Sequence, residues 1–209
     1  MSAERHATIG TPRLDPAGEL RHTEPSPEES ARMNVLRTPR LELVPFTLPM
    51  VEAVMAGRRE EAEEIAGARL PHAWPGAALI ERAFSASLER IRADPARRLW
   101  GDRLMVLPEA TRVIVGSVVF HGKPDDAEGI AEVAYGVDEA SQGRGYATEA
   151  TRAAVEWALA EPEVRAVQAT TAVWHRASLR VIQKVGMHQV GTREHDMLGE
   201  LLVFEKTRA

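Results

Sequence analysis

The feature that most restricts what this chain can fold into is a strand, a glycine turn and a helix in immediate succession. Val133 to Val137 alternates like a strand, Gln142-Gly143-Arg144-Gly145-Tyr146-Ala147 follows, and a helical pattern then runs to Ala160. Val133, Tyr135 and Val137 share one core-like strand face, with Glu132, Ala134 and Gly136 on the other. In the helix from about Ala147, the residues Ala147, Ala150, Ala154, Trp157 and Ala158 recur at helical spacing until Glu161-Pro162 stops it. Backbone N–H groups at a helix start lack intrahelical acceptors, and with the helix dipole they form an anion site that glycines open to a diphosphate. Arg144 adds a guanidinium nearby. A tight strand-to-helix turn with no ligand uses the same residues, so the two glycines alone leave both readings open.

Spacing removes two familiar nucleotide motifs. A dinucleotide fingerprint needs Gly or Ala where Thr148 stands, and a Walker loop needs a Gly-Lys-Ser or Gly-Lys-Thr ending. The elements around the turn also argue against a parallel β-α-β unit. Leu41 to Val44 reads as a first strand, and amphipathic stretches follow at Met50 to Ala66 and Leu79 to Ala93. Three strand candidates come next, Leu99 to Leu107, Val113 to His121 and Ala131 to Val137, joined by connections of hairpin length, so they are expected to pair antiparallel. Beyond the central helix lie a short strand, Val164 to Thr171, a helix Arg176 to Val185 and a final strand Leu198 to Lys206. Gly186 suits the left-handed position after that second helix, and Lys184 favours the negative end of its dipole. There is no internal repeat.

With 209 residues and 44% hydrophobic content the chain can bury a full core as one domain with an appendage. Residues 1–33 hold Pro12, Pro16, Pro25 and Pro27 among charges of both signs and few large apolar side chains, which reads as a disordered tail before a domain at 34–209. Met33 also fits a start site, with the tail as an extension. The net charge of -5 opposes nucleic-acid binding driven by phosphate neutralisation. No stretch reaches the roughly 18 to 20 apolar residues of a membrane helix, so a soluble protein with no membrane partner is expected. The lack of cysteine fits a reducing compartment, with the cytoplasm as the expected location.

Two motifs in order carry a family resemblance. Gln142-x-x-Gly145-x-Ala147 resembles the acyl-CoA signature of the GCN5-related N-acetyltransferases (GNAT), and His175-Arg-Ala-Ser178, followed after a helix by Gly186-Met187, resembles the Asn-x-x-Ser…Gly-Phe helix of that family. With the opening Leu36-Arg37-Thr38-Pro39-Arg40-Leu41-Glu42-Leu43, the chain is most similar to the branch of ribosomal-protein N-terminal acetyltransferases, over about residues 34 to 208. The resemblance implies an α+β fold, with a mixed, mostly antiparallel sheet whose central strands, ending at Val137 and running Val164 to Thr171, splay apart between flanking helices. It implies acetyl-CoA as cosubstrate, bound at Val137, Gln142, Gly143, Arg144, Gly145, Tyr146, Ala147 and Thr148, with His175 and Ser178 on the later helix. His175 stands where the family commonly has Asn, and Met187 replaces an aromatic residue.

The implied activity is N-acetyl transfer to a primary amine, of a protein N-terminus or a small molecule, by direct attack in a ternary complex. Such transfer needs a base for the ammonium and is helped by a donor to the leaving thiolate. Glu132 is the base candidate, since Ala134 and Gly136 leave room on its face; a solvated strand glutamate has the same pattern. Ser178 shares the stripe of Val181, Ile182 and Val185, which turns its hydroxyl inward as the acid candidate or as a helix serine bonded to backbone. The resemblance places the acceptor on the loop holding His72 and Trp74, where a tryptophan packed under a proline-rich loop is the plainer reading. No His-x-x-x-His pair suggests a metal, and no Gly-x-Ser-x-Gly elbow suggests a serine hydrolase. The rival is a non-catalytic acyl-CoA sensor. A homodimer is compatible with either.

Overall fold

The computed structural model describes residues 13–14, 20–21, 34–73, 88–124 and 128–208. The N-terminal unit, 1–34, contains a two-residue antiparallel ladder, Arg13 opposite Arg21 and Leu14 opposite Leu20. The rest of the tail expected to be disordered lies outside the described residues, as do Trp74 and most of the stretch read as amphipathic from Leu79. Residues 35–209 form the second unit.

That unit is built on one eight-stranded sheet. Its strands are β1 (Leu36–Arg37), β2 (Glu42–Pro45), β3 (Arg103–Leu107), β4 (Val113–Phe120), β5 (Ile130–Val137), β6 (Ala166–Ala172), β7 (His188–His195) and β8 (Gly199–Thr207), in spatial order β1-β2-β3-β4-β5-β6-β8-β7. Every neighbouring pair is antiparallel except β5 with β6. The hairpin reading of the strands before the turn therefore holds, and so does the mixed, mostly antiparallel α+β architecture; the expectation against a parallel β-α-β unit does not, because α5 (Tyr146–Ala160) carries the chain back across the sheet and β6 returns parallel to β5.

Alternation sends side chains to two cores. Leu43, Met105 and Val133 join a cluster under α5 (Tyr146–Ala160) and α6 (Arg176–Val185), while Leu104, Val106, Ile114 and Val119 face α1 (Leu48–Met55), α2 (Arg59–Ala66) and α3 (Leu88–Ala93). Helix α5 lies close to the sheet because Ala150, Ala154 and Ala158 line its buried face. The stretch read as one amphipathic run from Met50 is two helices. Thr47 caps α1, the chain turns at Gly57 with φ 71°, and α2 ends at left-handed Gly67. Helix α6 ends at Gly186 with φ 83°, as its sequence anticipates. The strand expected from Leu99 starts only at Arg103, after a short helix α4 (Pro95–Arg98) and a turn through Gly101; a Cβ there would meet Phe120 and Trp157 at 2.5 and 2.7 Å. Strand β7 has no counterpart in the sequence reading. All of its residues are exposed, so it shows no buried alternation.

The join of β4 to β5 controls the central strands. Gly116 lies opposite Val137, and a Cβ on it would stand 2.2 Å from the Gly136 carbonyl oxygen. Gly116→Ala is expected to push the two strands apart and to destabilise the domain by about 1 to 3 kcal/mol, the usual cost of overpacking. Urea unfolding of the variant against wild type measures this.

Candidate functional site

Strands β5 and β6 pair only from Ile130 to Glu132, against Ala166 to Gln168. From Val133 to Val137, β5 has no ladder partner on that side, and its backbone amides line an opening in the middle of the sheet. The strand leads directly into the glycine turn. Gly143 and Gly145 have φ of 75° and 85°, a region few other residues tolerate, and both are exposed. Gly145 is the N-cap of α5 and supplies no side-chain cap, so the first-turn N–H groups of Tyr146, Ala147 and Thr148 point out without helical acceptors. Nothing lies within 4 Å of the space a Cβ would fill at Gly143. An uncapped, positively polarised helix start beside an open strand edge suits a group with a diphosphate at one end and amides along its length.

Gln142 and Arg144 act first on their own turn. Gln142 Nε2 donates to the Val137 carbonyl at 3.0 Å, tying the turn to the end of β5, and Arg144 Nη2 donates to Ala140 O at 3.3 Å. The residue that steadies the turn from outside is Arg40. Its Nη1 donates to the Arg144 carbonyl at 2.8 Å, and its guanidinium lies over the Tyr146 ring, 4.9 Å from the centroid. Glu149 in turn holds Arg40, accepting from its backbone N at 2.8 Å and Nε at 2.7 Å, and also accepts from Thr38 Oγ1 at 2.7 Å. Arg40 and Thr38 stand in the opening segment that carried the family resemblance. Local pattern could not show what they hold, because their partners lie more than a hundred residues away in the chain.

On the face of β5 toward α1 and α2, Glu132 accepts from Thr170 Oγ1 at 2.8 Å and from Arg193 Nη2 at 3.1 Å through Oε1. Its Oε2 is 3.4 Å from His121 Nδ1. The His121 contact, with the Thr170 hydroxyl and Arg193 charge behind it and burial opposing, pulls the Glu132 carboxyl down to about 2. The same contact raises the His121 imidazole above its ordinary value. Glu132 is therefore no ordinary solvated strand glutamate, and it is also a weak proton acceptor.

Ser178 sits on the other face. Its Oγ is 3.0 Å from Tyr135 Oη, which also donates to the Ser178 carbonyl at 3.1 Å. Burial raises the Tyr135 phenol. Tyr135 is a residue the sequence reading assigned only to the core; its alternation is correct, but its hydroxyl reaches the start of α6. His175 is the N-cap of α6 without a side-chain capping bond, and its ring lies 5.8 Å from exposed Trp174. His72 is exposed in the turn after α2. His195 Nδ1 accepts from the Met197 amide and so serves its hairpin. Among the described residues no group of three metal-ligating side chains occurs, and no helix is long and apolar enough to cross a membrane.

Comparison with known proteins agrees with this geometry. Residues 40–188 match the acetyltransferase (GNAT) domain model, and the chain belongs to that family. It is 24% identical over 156 residues to an uncharacterised N-acetyltransferase, YjdG, of Bacillus subtilis, covering 74% of this chain and 89% of the relative. Its fold matches a ribosomal-protein-S5-alanine acetyltransferase from Vibrio fischeri with a TM-score of 0.56 at 14% identity, over 83% of this chain and 96% of that one. A ribosomal L7/L12 α-N-protein acetyltransferase in complex with coenzyme A matches with a TM-score of 0.56 at 12% identity, over 83% and 98% of the two chains. The protein is an N-acetyltransferase, and acetyl-CoA is its acetyl donor.

Two substitutions test the turn. Gly145→Asp sets a carboxylate against the anion site at a φ of 85° and is expected to abolish acetyl-CoA binding in a folded protein. Arg40→Ala removes a charged donor from the Arg144 carbonyl and is expected to weaken binding about 10- to 100-fold, from the roughly 1.5 to 3 kcal/mol of such a bond. Calorimetric titration with acetyl-CoA reads both.

Proposed function

We propose that this enzyme acetylates a primary amine, at a protein N-terminus or on a small molecule, by direct attack in a ternary complex with acetyl-CoA. The observation that carries the reading is the opening of the sheet after Glu132 beside the uncapped start of α5. Val137, Gln142 to Thr148, His175 and Ser178 would hold acetyl-CoA, which supplies the acetyl group as an activated thioester. The cluster around Glu132 and the hydroxyl pair Tyr135–Ser178 stand on opposite faces of β5, which loses its β6 partner between the two positions. This arrangement supports proton removal from the amine on one side and hydrogen bonding to the departing sulfur on the other. Holding both reactants in one cleft contributes independently of any acid or base. His72 and Trp74 are the acceptor-side residues in this reading, and the cytoplasm is the compartment it assigns.

Acetyl-CoA is expected to raise the thermal midpoint of the wild type, with stabilisation of about 2.7 kcal/mol at a hundred times its Kd. Free-thiol release is expected with at least one member of a panel of peptides and small amines. Binding without release on every amine would favour the sensor. Ser178→Ala and Tyr135→Phe are each expected to lower kcat by about tenfold or less, the scale of one neutral hydrogen bond, with acetyl-CoA affinity retained in Tyr135→Phe and lowered by no more than the same factor in Ser178→Ala.

A further inference from the structure

We infer that His121 Nε2 takes the proton from the acceptor amine, with Glu132 as the positioning residue that orients the imidazole. This assignment rests on the acetyl-transfer reading above.

Register places the two residues together. His121 follows the last residue of β4, and its backbone N–H donates to the Glu132 carbonyl at 3.0 Å, so the two stand opposite each other in the antiparallel pair and their side chains share a face. Val119 and Ala134 precede them on that face, which packs toward α1 and α2. Glu132 is the last residue of β5 that pairs with β6, so the two side chains stand at the edge of the opening that suits the thioester arm.

Within the cluster the two bases are not equivalent. The carboxylate is satisfied from three directions: Thr170 of β6 and Arg193 of β7 share Oε1, and His121 Nδ1 faces Oε2. Three donors leave it little affinity for another proton. The imidazole is the reverse case. A proton on Nδ1, held toward the carboxylate, leaves the lone pair on Nε2, for which no described residue provides a partner. The side chain is 56% exposed, open to an entering substrate or one intervening water. The charged groups facing it are Glu132 from β5, which favours the imidazolium, and Arg193 from β7, which opposes it. Asp125 and Asp126 lie outside the described residues.

The step balances with the groups named. The amine nitrogen forms the new C–N bond to the acetyl carbonyl carbon, and its surplus proton passes to Nε2. The C–S bond breaks, and its electron pair leaves as the thiolate of coenzyme A, which the hydroxyl pair stabilises by hydrogen bonding and which takes its proton from solvent. The imidazolium returns its proton to solvent before the next turnover. Because the neutral imidazole is the active form and Glu132 raises its affinity for protons, activity should fall as pH drops through a point above the ordinary imidazole range.

The experiment is a pH profile of kcat/KM for the acceptor, from pH 5.5 to 9.5, using an amine that the thiol-release panel identifies. It compares wild type, His121→Gln and Glu132→Gln, with thermal midpoint and acetyl-CoA affinity measured for each. His121→Gln is expected to lower kcat by about 10²- to 10⁴-fold, the range for general acid–base catalysis, and to lose the part of the acidic limb that the imidazole contributes, while binding acetyl-CoA normally. Glu132→Gln should keep a limb but move it to lower pH. A limb from the acceptor's own ammonium persists in every form, so the difference between profiles isolates the imidazole. If His121→Gln keeps the wild-type rate and limb, or if Glu132→Gln alone loses the limb, the assignment to His121 is overturned while acetyl transfer stands. A wild type that binds acetyl-CoA and releases no thiol with any amine overturns the acetyl-transfer reading and this assignment together.

Discussion

The architecture depends on one failure of strand pairing. A parallel ladder that continued along β5 and β6 would saturate every backbone group and close the sheet; here it stops at Glu132 opposite Gln168. Beyond that point the two strands are held by side chains and by what lies on either face. Glu132 reaches Thr170 across the gap on one face, and Tyr135 reaches the first turn of α6 on the other. Unpaired backbone in the middle of a sheet is costly unless something satisfies it. Pairing with the amides of the cofactor is the use proposed for this opening, and the uncapped start of α5 lies at its end.

Two polar assemblies make that opening specific. Arg40 and Glu149 clamp the turn by charge-assisted bonds, so that it is organised before any anion arrives. Preorganisation of this kind lowers the entropic cost of binding. The cluster of His121, Glu132, Thr170 and Arg193 draws on three strands and the residue just after a fourth, and its effect is to separate the proton affinities of two neighbouring bases in opposite directions. Either assembly would lose its meaning in an isolated fragment, because each joins residues far apart in the chain.

Legibility in the sequence followed burial. Strand β4 was readable as a continuous apolar run, β5 and helix α5 because each carries an apolar stripe of the right period, and the ends of α5 and α6 because Glu161-Pro162 and Gly186 have strong local conformational preferences. Strand β7, His-Gln-Val-Gly-Thr-Arg-Glu-His, was not readable: it is exposed along its whole length, and only its pairing with β8 makes it a strand. The break between α1 and α2 was missed because amphipathic spacing continues through Gly57, whose left-handed φ of 71° is set by how the two helices turn. At Leu99 and Trp100 apolar composition imitated a strand, while the chain was making a helix end and a turn.

By itself, the sequence determined the glycine turn, the two flanking helices and the family, since these rest on glycines, caps and short spacings that act over a few residues. It also determined which face of β5 each side chain takes, because a strand alternates whatever its neighbours are. Only the tertiary structure decided what those side chains meet. Arg40 on the turn, Tyr135 on Ser178, and Arg193 with His121 on Glu132 are contacts between residues separated by 43 to 104 positions, or across adjoining strands. A carboxylate's basicity is a property of its neighbours, and the neighbours of Glu132 are assembled only when the sheet is.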